Sequence, residues 1–302
     1  MNGEPDLLAE TLDRLFADQV TRDVRVAAEG GALPEELWSL VEESGLTDPF
    51  ADGEFSWAQA GAIARASGAH AVPLPLVETI LAGWLLRRAG LGVPDGPLTI
   101  VESLPLPQGT LLTGTAESVP WGRHATHLVG LAGEGGEMRV VRVELATASV
   151  TGDANIAREP RDRLTLVDCA AESAPAGLPA DIVHRAGAAL RAAQMAGAAA
   201  RVLDDSVAYA SERIQFGRPI GKFQAIQQML AVLAGRVAAA ETAVDAMWRA
   251  VDRHGFADAF PEIAAAKIRA GEAATLAANT GHEVHGAIGF AHEHHLNFLT
   301  RR

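Results

Sequence analysis

The sequence predicts an α+β protein, mainly α, with a small β region set between two helical ones. Three observations predict it. The outer thirds of the chain are rich in alanine and leucine with helical spacing, and aromatic residues make up only 5%. Residues 93–172 switch to short β-type runs separated by turn residues. The chain is 302 residues long and 48% hydrophobic, enough for two or three units with substantial cores. The expected organisation is an N-terminal helical domain over residues 1–92, a small middle β domain over 93–174 and a C-terminal helical bundle over 175–302.

The first helix is marked by Leu7, Leu8, Leu12, Leu15 and Phe16, whose spacing forms one buried stripe. Pro34 opens another, with Glu35 and Glu36 in the first turn where the helix dipole favours acids, and Gly45 closes it. Further helices are expected around Trp57–Ala66 and from Leu76 to about Ala89. Strands follow at Leu98–Val101, Thr110–Thr113, His127–Ala132, Met138–Leu145 and Leu164–Asp168, with a hairpin turn at Gly133–Gly136. Beyond Pro179 the helical pattern returns. Ile226, Leu230, Leu233, Val237, Ala240, Val244, Met247 and Val251 alternate steps of four and three, a heptad seam. Equally apolar segments flank it, Val183–Ala210 before and Pro261–Val284 after, so the seam reads as the core helix of an antiparallel bundle.

Composition excludes several functions. No apolar run of 18 residues exists, so no membrane span is expected, and the acidic N-terminus lacks the form of a signal peptide; the expected location is the cytoplasm. A net charge of −13 argues against nucleic-acid binding. One cysteine, Cys169, excludes an intrachain disulfide framework. The glycines at 133–136 lack the spacing and following helix of a phosphate loop, and no G-x-S-x-G elbow is present.

Two stretches carry candidate chemistry. Five of the ten histidines fall between His282 and His295. His282 and His285 can share a helix face, but H-E-x-x-H is missing and Gly286–Gly289 interrupts the group, so no metal is expected and a surface or interface cluster is. The other stretch is Tyr209–Gln228. A helix reaches Arg213, the chain turns at Phe216-Gly217-Arg218-Pro219, and a new helix starts near Lys222. Arg213, Arg218, Gln215 and an exposed aromatic at one corner suit a pyrophosphate with an attached base.

The run Tyr209-Ala210-Ser211-Glu212-Arg213-Ile214-Gln215-Phe216-Gly217-Arg218-Pro219-Ile220, followed by Phe223, Gln224 and Gln227, resembles a signature of the acyl-CoA dehydrogenase family. His285-Gly286-Ala287-Ile288-Gly289-Phe290, then Glu293-His294 and Thr300-Arg301-Arg302, resembles that family's second C-terminal signature. The resemblance implies an N-terminal helical domain, a middle β domain and a C-terminal antiparallel four-helix bundle. It also implies α,β-dehydrogenation of an acyl-CoA thioester with FAD, a carboxylate removing the α-proton. Arg213 would bind the FAD pyrophosphate, Gln215 and Phe216 the pyrophosphate and adenine end. Glu283 stands where a glutamine commonly contacts this cofactor, and Ala287 where a glycine does.

The chain departs from the family elsewhere. The flavin motif T-E-P-x-A-G-S-D is absent from Ile100–Gly109, and W-I-T aligns with Ser118-Val119-Pro120. The family's catalytic glutamate lies beyond the second signature, past Arg302, or before the helix leading to Arg213, where alignment gives Gly187. Glu283 and Glu293 are the remaining candidates for a base. The chain therefore resembles the short, beta-type subunit of heteromeric α2β2 acyl-CoA dehydrogenases, in which a paralogous partner supplies the base. Such assemblies act on bulky acyl groups such as steroid side chains. A homomeric enzyme with a relocated base and a flavin-free scaffold are the alternatives.

Overall fold

A computed structural model describes residues 7–53, 55–133, 138–291 and 294–302. Five helices come first: α1 (Leu7–Gln19), α2 (Arg22–Glu29), α3 (Glu35–Glu43), α4 (Trp57–Ala69) and α5 (Leu76–Arg88). Six strands follow: β1 (Leu98–Ser103), β2 (Leu111–Pro120), β3 (His127–Ala132), β4 (Arg139–Glu144), β5 (Ser149–Thr151) and β6 (Arg161–Pro175). Then come α6 (Ile182–Glu212), a ribbon of β7 (Ile214–Gln215) and β8 (Arg218–Pro219), α7 (Gln224–Asp258), α8 (Phe260–His285) and α9 (Leu296–Arg301). The α–β–α order predicted from the periodicities is the observed one. Packing divides the chain into two units: Met1–Arg25, Trp57–Val72 and Ala188–Arg302 form one, Val26–Ser56 and Pro73–Gly187 the other.

In the first unit, α6–α9 form the C-terminal four-helix bundle. Ala199 and Val202 of α6, Leu233 and Val237 of α7, Ala273 and Ala277 of α8, and Leu296 and Phe298 of α9 share one core. The predicted seam is buried from Leu233 to Val251, whereas Ile226 and Leu230 at its start are only half-buried. Small residues let the helices approach closely. A Cβ on Gly68 of α4 would overlap the Gln194 carbonyl oxygen of α6, and one on Gly197 of α6 would overlap that of Arg65. Backbone can yield little there, so Gly197→Ala is expected to cost about 1–3 kcal/mol in urea unfolding; an unchanged midpoint would show that the helices have room to part. Asp252 of α7 caps α4, accepting from the amides of Trp57 (2.7 Å) and Ala58 (3.1 Å).

The second unit holds a half-barrel sheet of order β1-β3-β4-β6-β2, with β5 on β6. Only β1–β3 is parallel. The first ten residues of β6 pair with β2 and the last five with β4, so one long strand joins both halves around Leu112, Val119, Val141, Val143, Leu164 and Cys169. Thr113 and Asp168 exchange hydrogen bonds of 3.0 Å where the register slips, Asp168 at φ 48°. Helix α5 is buried nearly all round, and Thr79 bonds the Leu98 backbone at 3.1 Å. Asp162, fully buried, accepts from the Arg123 amide (2.7 Å) and guanidinium (2.5 Å) and from the Asp153 amide (3.2 Å).

Two differences from the sequence reading have physical reasons. Strands β2 and β6 run well past Thr110–Thr113 and Leu164–Asp168, because register slips at Leu112/Gly114 and Ala116/Val119 break the strict alternation that marks a strand. Helix α2 and strand β5 were not expected; α2 buries only Ala28 and β5 no residue, so neither has an apolar pattern to read. The expected hairpin turn at Gly133–Gly136 lies largely outside the described residues, although β3 and β4 on either side pair antiparallel from His127↔Glu144 to Ala132↔Arg139. No helix among the described residues is long and apolar enough to cross a membrane.

Candidate functional site

Helix α6 ends at Glu212 and the chain reverses at once. Ile214 pairs with Pro219 and Gln215 with Arg218, around a two-residue turn whose central residues, Phe216 and Gly217, have φ of 51° and 78°. Two successive positive φ angles match the twist of a tight hairpin. Glycine takes the second without cost; Phe216 takes the first and is left 91% exposed. The Ile220 amide donates to the Arg213 carbonyl (2.8 Å), and Gln227 reaches back to Gly221 O (2.9 Å). Arg218 lies over the Phe223 ring at 4.3 Å, and Phe216 meets the same ring edge-on at 6.1 Å.

This corner forms one wall of a pocket of about 630 Å³; the end of α8 and the turn after it form the other. All five contacts expected of the corner and the second signature, Arg213, Gln215, Phe216, Glu283 and Ala287, line it. They come together because α8 ends at His285 beside the corner and Gly286, at φ 61°, turns the chain across the pocket. Sequence reasoning missed Tyr209 and His285, one from each wall, whose rings stack 4.5 Å apart at 26°. A Tyr at the corner's fourth residue upstream and a His at the helix end were visible; their stacking was not.

Of the described histidines in this group only His285 is buried; His282, His294 and His295 are partly exposed. His285 is buried and donates from Nδ1 to Gly281 O at 2.8 Å. His282 stacks on Phe290 (4.4 Å), and its Nε2 bonds Thr300 Oγ1 at 3.1 Å. His294 lies 4.9 Å from the His285 ring and 4.6 Å from that of His295. His295 reaches Asp205 at 2.8 Å, a carboxylate also held by Arg201 at 3.0 Å. Burial, then the charges of neighbouring imidazoles, push His285 and His294 below the ordinary histidine value. Burial alone would raise the Asp205 carboxyl, but the His295 hydrogen bond and Arg201 outweigh it and hold it low. Among the described residues no three His, Cys, Asp or Glu side chains converge as metal ligands would. His292 and Glu293, the latter a candidate base, lie outside the described residues.

The other flavin-motif segments lie in the second unit. Ile100–Ser103 and Thr115–Ser118 with Pro120 line a groove of about 440 Å³. It carries two carboxylates that sequence reasoning missed, Glu102 paired with His184 (3.0 Å) and Glu117 paired with Arg163 (2.9 Å). Gly187, at the family's alternative base position, sits within α6, where an added Cβ would meet nothing within 4 Å.

The first pocket fits the pyrophosphate and adenine end of FAD. Arg213 forms no ion pair among the described residues and offers a planar fork of donors. Gln215 adds an amide, and the Phe216 and Phe223 rings offer flat apolar faces. The volume lies within the range of ligand sites. Glu283 adds an acid, but it is exposed, and water screens its charge.

Comparison with known proteins agrees in sequence and in fold. The family model described as "Acyl-CoA dehydrogenase, C-terminal domain" matches residues 185–302. The acyl-CoA dehydrogenase IpdE2 of Mycolicibacterium smegmatis is 29% identical over 316 aligned positions, covering 100% of this chain and 93% of that protein. In fold, a variant of the Tcur3481-Tcur3483 steroid ACAD superposes with a TM-score of 0.85 at 22% identity, over 97% of this chain and 90% of that one. A chain of the ChsE4-ChsE5 complex from Mycobacterium tuberculosis gives 0.83 at 22% identity, with the same coverage. The matched residues 185–302 are an acyl-CoA dehydrogenase C-terminal domain, and they contain the whole corner and the whole second signature.

Proposed function

We propose that the chain is one subunit of a cytoplasmic, heteromeric α2β2 acyl-CoA dehydrogenase, organised in the three domains set out from its sequence. In this reading it holds the pyrophosphate and adenine end of FAD, and a paralogous subunit supplies the catalytic base. The observation that carries the reading is the convergence of Arg213, Gln215, Phe216, Glu283 and Ala287 on one pocket. The fold shared with chains of a steroid ACAD and of the ChsE4-ChsE5 complex supports a bulky, steroid-type acyl-CoA and a second subunit.

FAD, when bound, accepts the hydride from the Cβ of the acyl group. The chain's own part is binding and placement. The Arg213 guanidinium neutralises diphosphate charge, Gln215 donates to phosphate oxygens, and Phe216 covers the apolar ring. The α-proton needs a positioned carboxylate, and a missing general base costs roughly 10²–10⁴-fold in rate. Of the described candidates only Glu283 lines the cofactor pocket, at the end assigned to adenine, where it has no proton to take.

Purified alone, the chain is expected to show no dehydrogenation of a steroid side-chain acyl-CoA with a dye acceptor. Co-purified with its paralogue, it is expected to give a yellow, active complex. A yellow homo-oligomer of this chain that reduces the dye would sink the subunit reading, and an assembly that never carries flavin would favour a scaffold.

A further inference from the structure

His285 is among the best-buried polar side chains of the chain, 4% exposed, and yet it lines the pocket. Its two nitrogens are unequal. Nδ1 faces back along α8, and its hydrogen bond goes to Gly281 O, which can only accept, so in the neutral ring the proton sits on Nδ1. Nε2 then carries a lone pair. It has no partner among the described residues, and it is not one of the fully enclosed, unpaired side-chain atoms, so it keeps access to space beside the ring. The Tyr209 ring covers one face of the imidazole, and the Tyr209 carbonyl accepts the Arg213 amide at 2.8 Å. One residue thus joins the imidazole to the cation of the pocket.

We propose that His285 is a ligand-binding residue of this pocket, accepting at Nε2 a hydrogen bond from an N–H donor of the occupant, of the kind an exocyclic purine amine carries. The proposal rests on the reading of the pocket as a nucleotide-diphosphate site and adds the atom that selects the base. The charge of the ring sets the direction of that bond. Burial favours the neutral form, and His295 and His282 act the same way, while the bond to Gly281 and Asp205 of α6 oppose; the His294 ring faces it at 4.9 Å. Protonation would turn Nε2 from acceptor to donor.

Calorimetric titration of the full chain with ADP and with inosine diphosphate, which carries a carbonyl oxygen in place of the amine, tests this. At pH 7.5 ADP is expected to bind roughly tenfold more tightly than inosine diphosphate. His285→Phe keeps a ring against Tyr209 and removes the acceptor, so the ratio should fall to about one. The thermal-unfolding midpoint of the variant shows whether it folds, and the ratio in the unaltered protein needs no variant. A ratio of one at pH 7.5, or one that survives His285→Phe, overturns the role of His285. Binding that depends on Arg213 without any ratio overturns that role alone; binding of neither nucleotide overturns the diphosphate reading with it.

Discussion

Replacing Asp162 by alanine is expected to lower the unfolding free energy of the β-containing unit by about 3 kcal/mol, because it breaks a buried ion pair from one side. The carboxylate is fully buried and accepts from two backbone amides and a guanidinium. Arg123 is partly exposed and can recover water, but the amides of Arg123 and Asp153 lose their partner. Asp162→Asn keeps an acceptor and should cost less. Burial alone would raise this carboxyl, yet the bonds from Arg123 and Asp153 outweigh it and hold it below the ordinary aspartate value. A depressed folded value contributes stability that is complete above the unfolded value, about 4, and is lost as pH falls through the folded one. Urea unfolding between pH 3 and 7 checks both points. The alanine variant should show a lower midpoint at neutral pH and a flatter decline in acid; an unchanged midpoint would mean that water satisfies the amides.

Arg213→Ala should weaken retention of FAD by the assembled enzyme by roughly 10–100-fold, the loss of a charge-assisted bidentate contact. The side chain is exposed and forms no ion pair among the described residues, so removing it disturbs little of the fold. Flavin content after desalting, read by absorbance, measures retention, and the midpoint of thermal unfolding serves as the control for folding. Flavin content equal to that of the unaltered complex would remove Arg213 from the cofactor site. Arg213→Lys keeps the charge and loses the fork, and should fall between the two.

Periodicity carried most of the fold. The acids and glycine bounding α3 and the seam of α7 are local patterns that survive because each helix buries one face, whereas the stripe of α1 is buried only at Leu12 and Phe16 and Leu7 is exposed. Helix α5 was legible from Leu76 to about Ala89. What escaped had no such face: α2, β5 and the polar outer edges of β2 and β6. The pocket was legible as two separate motifs, since Arg213, Gln215 and Phe216 lie together in the chain, and so do Glu283 and Ala287.

The sequence by itself determined the order of helices and strands and the bundle seam, because hydrophobic periodicity and turn residues act within a few positions of each other; the residues of the two pocket walls came from the resemblance of two motifs to a known family. Only the tertiary structure decided that the walls meet. It also decided that the clustered histidines stack on Tyr209 and Phe290 and pair with Asp205. It aligned Asp162 with Arg123, 39 residues away. Stacking and buried pairing depend on which helix ends and strands come side by side, and that is settled by burial of the whole chain rather than by any segment of it.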